Sequence, residues 1–195
     1  MDIGLFGGSF NPPHTGHVRL AREFREKGCL DMVWVLVAPD PPHKDVAGMV
    51  SYQHRLAMTQ LAFAESFGVE VNRIEETLPS PAYTYRTVES VKLKHPGSRF
   101  WLCIGEDSLH DLPKWKHPEL LIQNVELLVA KRGDYEASGS DLPEEWLKKV
   151  HYIDIEPMSI SSSSIRNLIA HNLDIEDLVT EPVVEYIRKH RLYQL

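Results

Sequence analysis

The chain is poor in cysteine: 195 residues contain two, Cys29 and Cys103. A disulfide framework or a zinc site needs more, so both read as reduced, partly buried thiols in or beside apolar segments. A long uncharged apolar run is also missing, which removes a transmembrane helix. No basic stretch precedes the first apolar run, so no secretory signal is expected and the expected location is cytoplasmic. Basic residues are outnumbered, 21 Lys and Arg against 28 Asp and Glu, for a formal charge of −7. That balance argues against general binding to nucleic acid or to an anionic membrane. It leaves room for a phosphate pocket, which needs only a local cluster of donors. A Gly-x-Gly-x-x-Gly turn is absent too, since Gly7-Gly8 runs into Ser9 and then Pro12-Pro13. That absence counts against a redox dehydrogenase.

What is present is an ordinary globular composition, 43% hydrophobic and 25% charged, over a length that suits one domain. Short apolar runs alternate with helical patterns. Ile3 and Leu5–Phe6 read as a buried first strand, and Val18, Leu20, Ala21 and Phe24 recur at helical spacing behind it. Met32–Val37 is continuously apolar, as in a strand buried on both faces. Ser51 reads as the N-cap of a helix carrying Leu56, Ala57, Leu61, Ala62 and Phe63, with Gly68 as its stop. Val69–Val71, Phe100–Ile104, Val125–Ala130 and Val150–Ile155 read as further strands, and Thr84–Lys94 as a helix. Lys131–Glu145 is polar and reads as an exposed loop. Ser161–Asn172, Ile175–Val179 and Pro182–Arg191 read as three consecutive helices.

The expected fold is α/β: a Rossmann-like, doubly wound parallel sheet with a small C-terminal helical cap. Residues 1–195 are expected to form a single domain, 1–157 as the core and 158–195 as the helical part. Ligands of such sheets bind at the carboxyl ends of the strands, where the strand order reverses.

The richest stretch lies at such an end. Gly7, Gly8, Ser9, Phe10, Asn11, Pro12, Pro13, His14, Thr15, Gly16 and His17 follow the first strand and open a helix. Amides at a helix N-terminus favour anions, and Gly7, Gly8 and Gly16 let a phosphate approach the backbone. His14 and His17 are three apart, which puts both imidazoles on one face of a helical turn. Two incidental histidines in a tight turn are the bland alternative. A second motif, Ile160-Ser161-Ser162-Ser163-Ser164-Ile165-Arg166, precedes another helix. Capping accounts for one serine, not for four hydroxyls and an arginine. An arginine fork donates to two phosphate oxygens at once.

The first string resembles the HxGH signature of the nucleotidyltransferase superfamily, and the second is similar to its ISSTxIR motif, with Ser163 at the usual threonine. Further segments resemble the bacterial nicotinate mononucleotide adenylyltransferases, in order along the whole chain. Pro39–Lys44 is like the loop after the second strand in that family. Tyr83-Thr84-Tyr85-Arg86-Thr87-Val88 resembles its SYTYxTL segment. Ile104–Leu109 with Trp115 is similar to its GxD…W region, and Lys131-Arg132-Gly133 approximates its RPG. Pro182–Tyr193 matches its closing pattern.

The resemblance implies adenylyl transfer from ATP to nicotinate mononucleotide, giving deamido-NAD and pyrophosphate. It implies catalytic roles for His14, His17, Lys44 and Arg166. It implies ATP binding by Gly7, Gly8, Ser9, Phe10, Gly105, Asp107, Ile160, Ser161, Ser162, Ser163 and Arg166. Asn11, Lys44, Thr84, Tyr85 and Trp115 are expected to meet nicotinate mononucleotide, with Trp115 stacking on the pyridine ring. Thr84 as a helix cap and Trp115 as core filling are the bland alternatives. Mg²⁺ is expected through the ATP phosphates and water, since the sequence shows no dedicated carboxylate cluster. The partners expected are ATP and nicotinate mononucleotide, with no nucleic acid and no membrane; a homo-oligomer is compatible with all of this. Two positions depart from the family. Asn11 stands where it usually has aspartate, and Arg86 replaces a residue that is often acidic, adding positive charge near the acceptor. The alternatives are a nicotinamide mononucleotide or phosphopantetheine acceptor, or a non-catalytic nucleotide sensor.

Overall fold

Val33, Val35 and Val37 face one side of the sheet, Trp34 and Leu36 face the other, and all five are buried. The unbroken apolar run Met32–Val37 is therefore a strand covered on both faces. In the computed structural model, which describes residues 1–41, 48–132 and 142–194, the same logic holds across the sheet. Strands β1 (Asp2–Gly8), β2 (Met32–Val37), β3 (Val69–Asn72), β4 (Arg99–Gly105), β5 (Glu126–Arg132) and β6 (Val150–Ile155) are all parallel. Their spatial order is β3-β2-β1-β4-β5-β6, a doubly wound α/β sheet as expected.

Helices α1 (Thr15–Lys27), α2 (Tyr52–Phe63), α3 (Thr84–Lys94), α4 (Glu106–Asp111), α5 (Pro118–Asn124), α6 (Glu144–Leu147), α7 (Ser162–Ala170) and α8 (Glu181–His190) accompany it. One face packs Phe24 of α1, Met58 and Phe63 of α2, Ile165 and Ile169 of α7 and Val183, Val184 and Ile187 of α8 into a single apolar cluster. The opposite face packs Val88 and Val91 of α3, Leu109 of α4, Leu121 and Ile122 of α5 and Trp146 of α6. The C-terminal helices thus share the core of one sheet face.

Strand order reverses between β1 and β4. Their pairing stops at Leu5↔Leu102. Beyond that pair, Phe6–Gly8 and Cys103–Gly105 line a cavity of about 320 Å³.

Several expectations need correction. Ile175–Val179 is a turn, not a helix. Asp174 Oδ1 accepts from the Ile175 and Glu176 amides, and the Leu178 carbonyl accepts from Thr15. The segment closes as a single turn, the Ile175 carbonyl accepting from the Leu178 and Val179 amides. The stretch Lys131–Glu145 is not one loop: β5 continues through Arg132, and α6 begins at Glu144, with Trp146 buried beneath it. Residues 133–141, including Gly133, lie outside the described residues. Cys29 is exposed rather than partly buried, while Cys103 is buried. The second helix ends at Phe63, well before Gly68. No helix among the described residues is long and apolar enough to cross a membrane.

Candidate active site

The turn after β1 is built backward from the core. Phe10 adopts a left-handed backbone (φ 46°) and buries its ring, 1% exposed, edge-on to Phe6 and Phe63. A Cβ at Gly8 would stand 3.0 Å from that ring, closer than ordinary contact, so the packed ring disfavours a side chain there. Phe10 therefore anchors the turn through its ring and offers only its backbone to a nucleotide. A left-handed backbone at a bulky residue is strained, and such strain collects at functional turns.

His14 caps α1 and is buried. Its ring stacks on that of His17 with centroids 3.6 Å apart. It also lies over Gly16, where a Cβ would stand 3.0 Å from His14 Nδ1. Burial pulls the His14 pKa down to about 4, so the imidazole is neutral at physiological pH. His17 Nδ1 accepts the His14 backbone N–H at 3.2 Å. A neutral His17 therefore carries its proton on Nε2.

The second motif reaches this turn directly. Ser162 Oγ donates to the Pro12 carbonyl at 2.8 Å, and Arg166 Nη1 donates to the Asn11 carbonyl at 2.9 Å. Two strings some 150 residues apart thus form one surface at the carboxyl end of β1. The four serines all have protein partners. Ser161 and Ser164 form a reciprocal capping box at the start of α7, and Ser163 Oγ accepts from Arg166 Nη2. Capping and cross-bracing therefore explain more of the serine run than the single hydroxyl expected from sequence. Ile160 packs partly buried beside them.

Across the cavity, Gly7, Gly8, Ser9, Thr84, Gly105 and Trp115 all contribute to the lining. Thr84 opens α3, whose cap position belongs to Tyr83. Trp115 is half-buried after a 3-10 turn, Leu112–Lys114. Gly105 caps α4, which starts at Glu106, so exposed Asp107 lies in its first turn rather than before it. Tyr85 turns aside: its ring packs on the core and on His117, and its hydroxyl accepts from Arg86 Nε at 2.9 Å. Lys44 falls outside the described residues.

Two site residues escaped sequence reasoning. Arg55, 1% exposed on α2, donates to the Ser9 carbonyl (2.8 Å), Ala38 carbonyl (2.8 Å), Pro39 carbonyl (3.0 Å) and Val50 carbonyl (3.3 Å). It has no carboxylate partner among the described residues. It fixes both loops that flank the cavity and places a buried positive charge behind the phosphate turn. Its only sequence signal is a charge on the apolar side of a helix. Glu75 lines the cavity beside Thr84 and accepts the Thr87 hydroxyl at 2.9 Å. Burial pushes its pKa up to about 6, opposed by the Thr87 hydrogen bond. Among the described residues, no group of three or more His, Cys, Asp or Glu is placed to hold a metal ion.

Residues 5–168 match the cytidylyltransferase-like family model. A probable nicotinate-nucleotide adenylyltransferase of Flavobacterium johnsoniae is 36% identical over 194 residues, covering 100% of both chains. One from Geobacter sulfurreducens is 34% identical, covering 99% of this chain and 98% of its own. The nicotinic acid mononucleotide adenylyltransferase of Plasmodium falciparum, solved with NaAD, superposes with a TM-score of 0.78 at 24% identity, covering 98% and 97% of the two chains. That last likeness concerns the fold. Sequence and architecture together place this chain in the cytidylyltransferase-like family, among the nicotinate-nucleotide adenylyltransferases.

Proposed function

We propose that the protein transfers the adenylyl group of ATP to nicotinate mononucleotide, forming deamido-NAD and pyrophosphate in NAD biosynthesis. The observation that carries this reading is the junction of the two motifs, Arg166 on the Asn11 carbonyl and Ser162 on the Pro12 carbonyl, beside the His14–His17 stack. The relatives named for that activity match over their full length.

The acceptor's phosphate oxygen attacks the α-phosphorus of ATP in line; the new P–O bond forms as the bond to the β-phosphate breaks and pyrophosphate departs. A phosphate is already nucleophilic at neutral pH, so the protein needs no general base. Its task is to hold two polyanions together and stabilise charge moving onto the leaving group. His14 and His17 meet the α- and β-phosphates, with His17 Nε2 donating. Arg166 and Lys44 neutralise the pyrophosphate. Ser9, Gly105, Asp107, Ile160 and Ser161–Ser163 frame the ATP, and Thr84, Trp115 and the backbone amide of Tyr85 hold the acceptor's pyridine end. Asn11 acts on the acceptor through the shape of this turn. No metal-ligating cluster is present among the described residues, so a Mg²⁺ ion would be held through the ATP phosphates, where it would supply further neutralisation. The reading takes residues 1–195 as one unit working in the cytoplasm, the shared core of the C-terminal helices supporting the former.

The test is pyrophosphate release from Mg-ATP with nicotinate mononucleotide, nicotinamide mononucleotide or phosphopantetheine, each alone, with the product identified by mass. Preference for nicotinate mononucleotide upholds the reading. Preference for another acceptor overturns the pocket assignment, and ATP binding without release from any acceptor favours a sensor.

A further inference from the structure

Asn11 is 4% exposed, and every polar atom of its side chain is engaged. Oδ1 accepts from the Tyr193 hydroxyl at 2.8 Å and from the Val50 amide at 3.3 Å, while Nδ2 donates to the Gly48 carbonyl at 3.3 Å. The Val50 amide can only donate and the Gly48 carbonyl can only accept, so the amide has one orientation. Its backbone carbonyl meanwhile receives Arg166 Nη1 at 2.9 Å. One residue thus joins the phosphate turn, the chain entering α2, the arginine of α7 and a tyrosine 182 positions away.

We propose that Asn11 and Tyr193 are positioning residues for adenylyl transfer: together they latch the C-terminal segment onto the phosphate turn and hold Arg166 and Gly48–Val50 in place for the triphosphate. This rests on the proposed function for its consequence in turnover, not for the latch itself. Arg166 commits Nη1 to Asn11 and Nη2 to Ser163, which fixes the plane of its guanidinium. Gly48 borders the same group, its Cβ direction pointing to Arg166 Nε at 3.8 Å. A shift of Asn11 therefore moves both neighbours of the arginine fork. Burial holds the Tyr193 phenol well above its ordinary pKa, so its proton stays available to donate, although Arg166 and Arg55 pull the other way.

The geometry also explains the departure at position 11. An aspartate would set a second oxygen against the Gly48 carbonyl with no proton between them. It would add a negative charge beside the arginine that must receive phosphate. In this chain the family's usual residue is the worse one.

The experiment is a double-mutant cycle on the full chain with Tyr193→Phe, Asn11→Ala and both. It reads calorimetric affinity for a non-hydrolysable ATP analogue, KM for each substrate, kcat and Tm. Each single variant should weaken analogue binding and raise the KM for ATP by roughly three- to tenfold, the effect of one ordinary hydrogen bond. In Tyr193→Phe the KM for the acceptor should stay within about twofold and Tm within about 3 °C, and the double variant should lose less than the product of the singles. Wild-type analogue affinity in Tyr193→Phe, or fully multiplicative losses, overturns the latch. Tyr193→Phe removes one oxygen and decides the matter alone should Asn11→Ala not fold. Failure of the wild type to transfer to any acceptor would sink the functional reading but leave the binding cycle decisive for the latch.

Discussion

The two sides of the cavity are built differently. On the side proposed for the phosphates, from Ser9 to His17, several groups are braced by distant parts of the protein. Arg55 holds the Ser9 carbonyl, Arg166 and Ser162 hold the Asn11 and Pro12 carbonyls, and Leu178 receives both the amide and hydroxyl of Thr15. On the side proposed for the acceptor, Thr84, Tyr83 and Trp115 border open volume, and the Glu75 carboxylate accepts the Thr87 hydroxyl. Charge that moves during a reaction needs donors fixed in advance, because reorganising them would cost part of the barrier. A flat aromatic acceptor needs a slot and a stacking face. The contrast gives each side its own kinetic signature.

The sharpest separation should come from His17→Ala. Removing a preorganised donor from the phosphate side should cut kcat about a hundredfold or more with Tm little changed. Turnover near wild type in a steady-state assay would remove His17 from the chemistry. Trp115→Ala should mark the other side: acceptor KM up by roughly tenfold through lost stacking, ATP KM within about twofold. Equal rises in both KM values would mean that the two sides are not independent.

Arg55→Met tests the brace itself. It strands the Ser9, Ala38, Pro39 and Val50 carbonyls and should cost on the order of 3 kcal/mol. Chemical denaturation should show it as a lower midpoint at unchanged m-value. A midpoint at the wild-type position would make the brace dispensable.

The smallest expected effect is in pH. His14 has a folded pKa of about 4 against an ordinary 6.5, so its contribution to stability is present above pH 6.5 and lost as pH falls towards 4. Glu75 has a folded pKa of about 6 against 4.5, so its contribution is present below pH 4.5 and lost as pH rises through 6. Between pH 4.5 and 6 the slopes oppose each other. Glu75→Gln should steepen the loss of stability on acidification, and His14→Gln should reverse or flatten it, in thermal melts across that window. Parallel curves for both variants would contradict the assigned burial.

Much of this was legible in the chain. Met32–Val37 and Phe100–Ile104 announce strands buried on both faces because no polar residue interrupts them. The phosphate motifs stand out because two histidines and an arginine accompany the glycines and serines at strand-to-helix junctions, which is more than turns and capping require. What stayed hidden depends on distance. Nothing near Arg55 in sequence shows that it will meet four backbone carbonyls, and nothing near Asn11 shows Tyr193. Ile175–Val179 carries helical spacing, but it closes as one turn whose Leu178 carbonyl is taken by Thr15, a partner that periodicity cannot register. Asn11 was visible as a departure from the family; the reason for it needed the Gly48 carbonyl.

The most direct test of transfer at this site uses nicotinate mononucleotide with ¹⁸O in its phosphate, together with unlabelled Mg-ATP. Attack by that phosphate on the α-phosphorus should leave all the label in the dinucleotide and none in pyrophosphate. Label in pyrophosphate, or no dinucleotide at all, would contradict it.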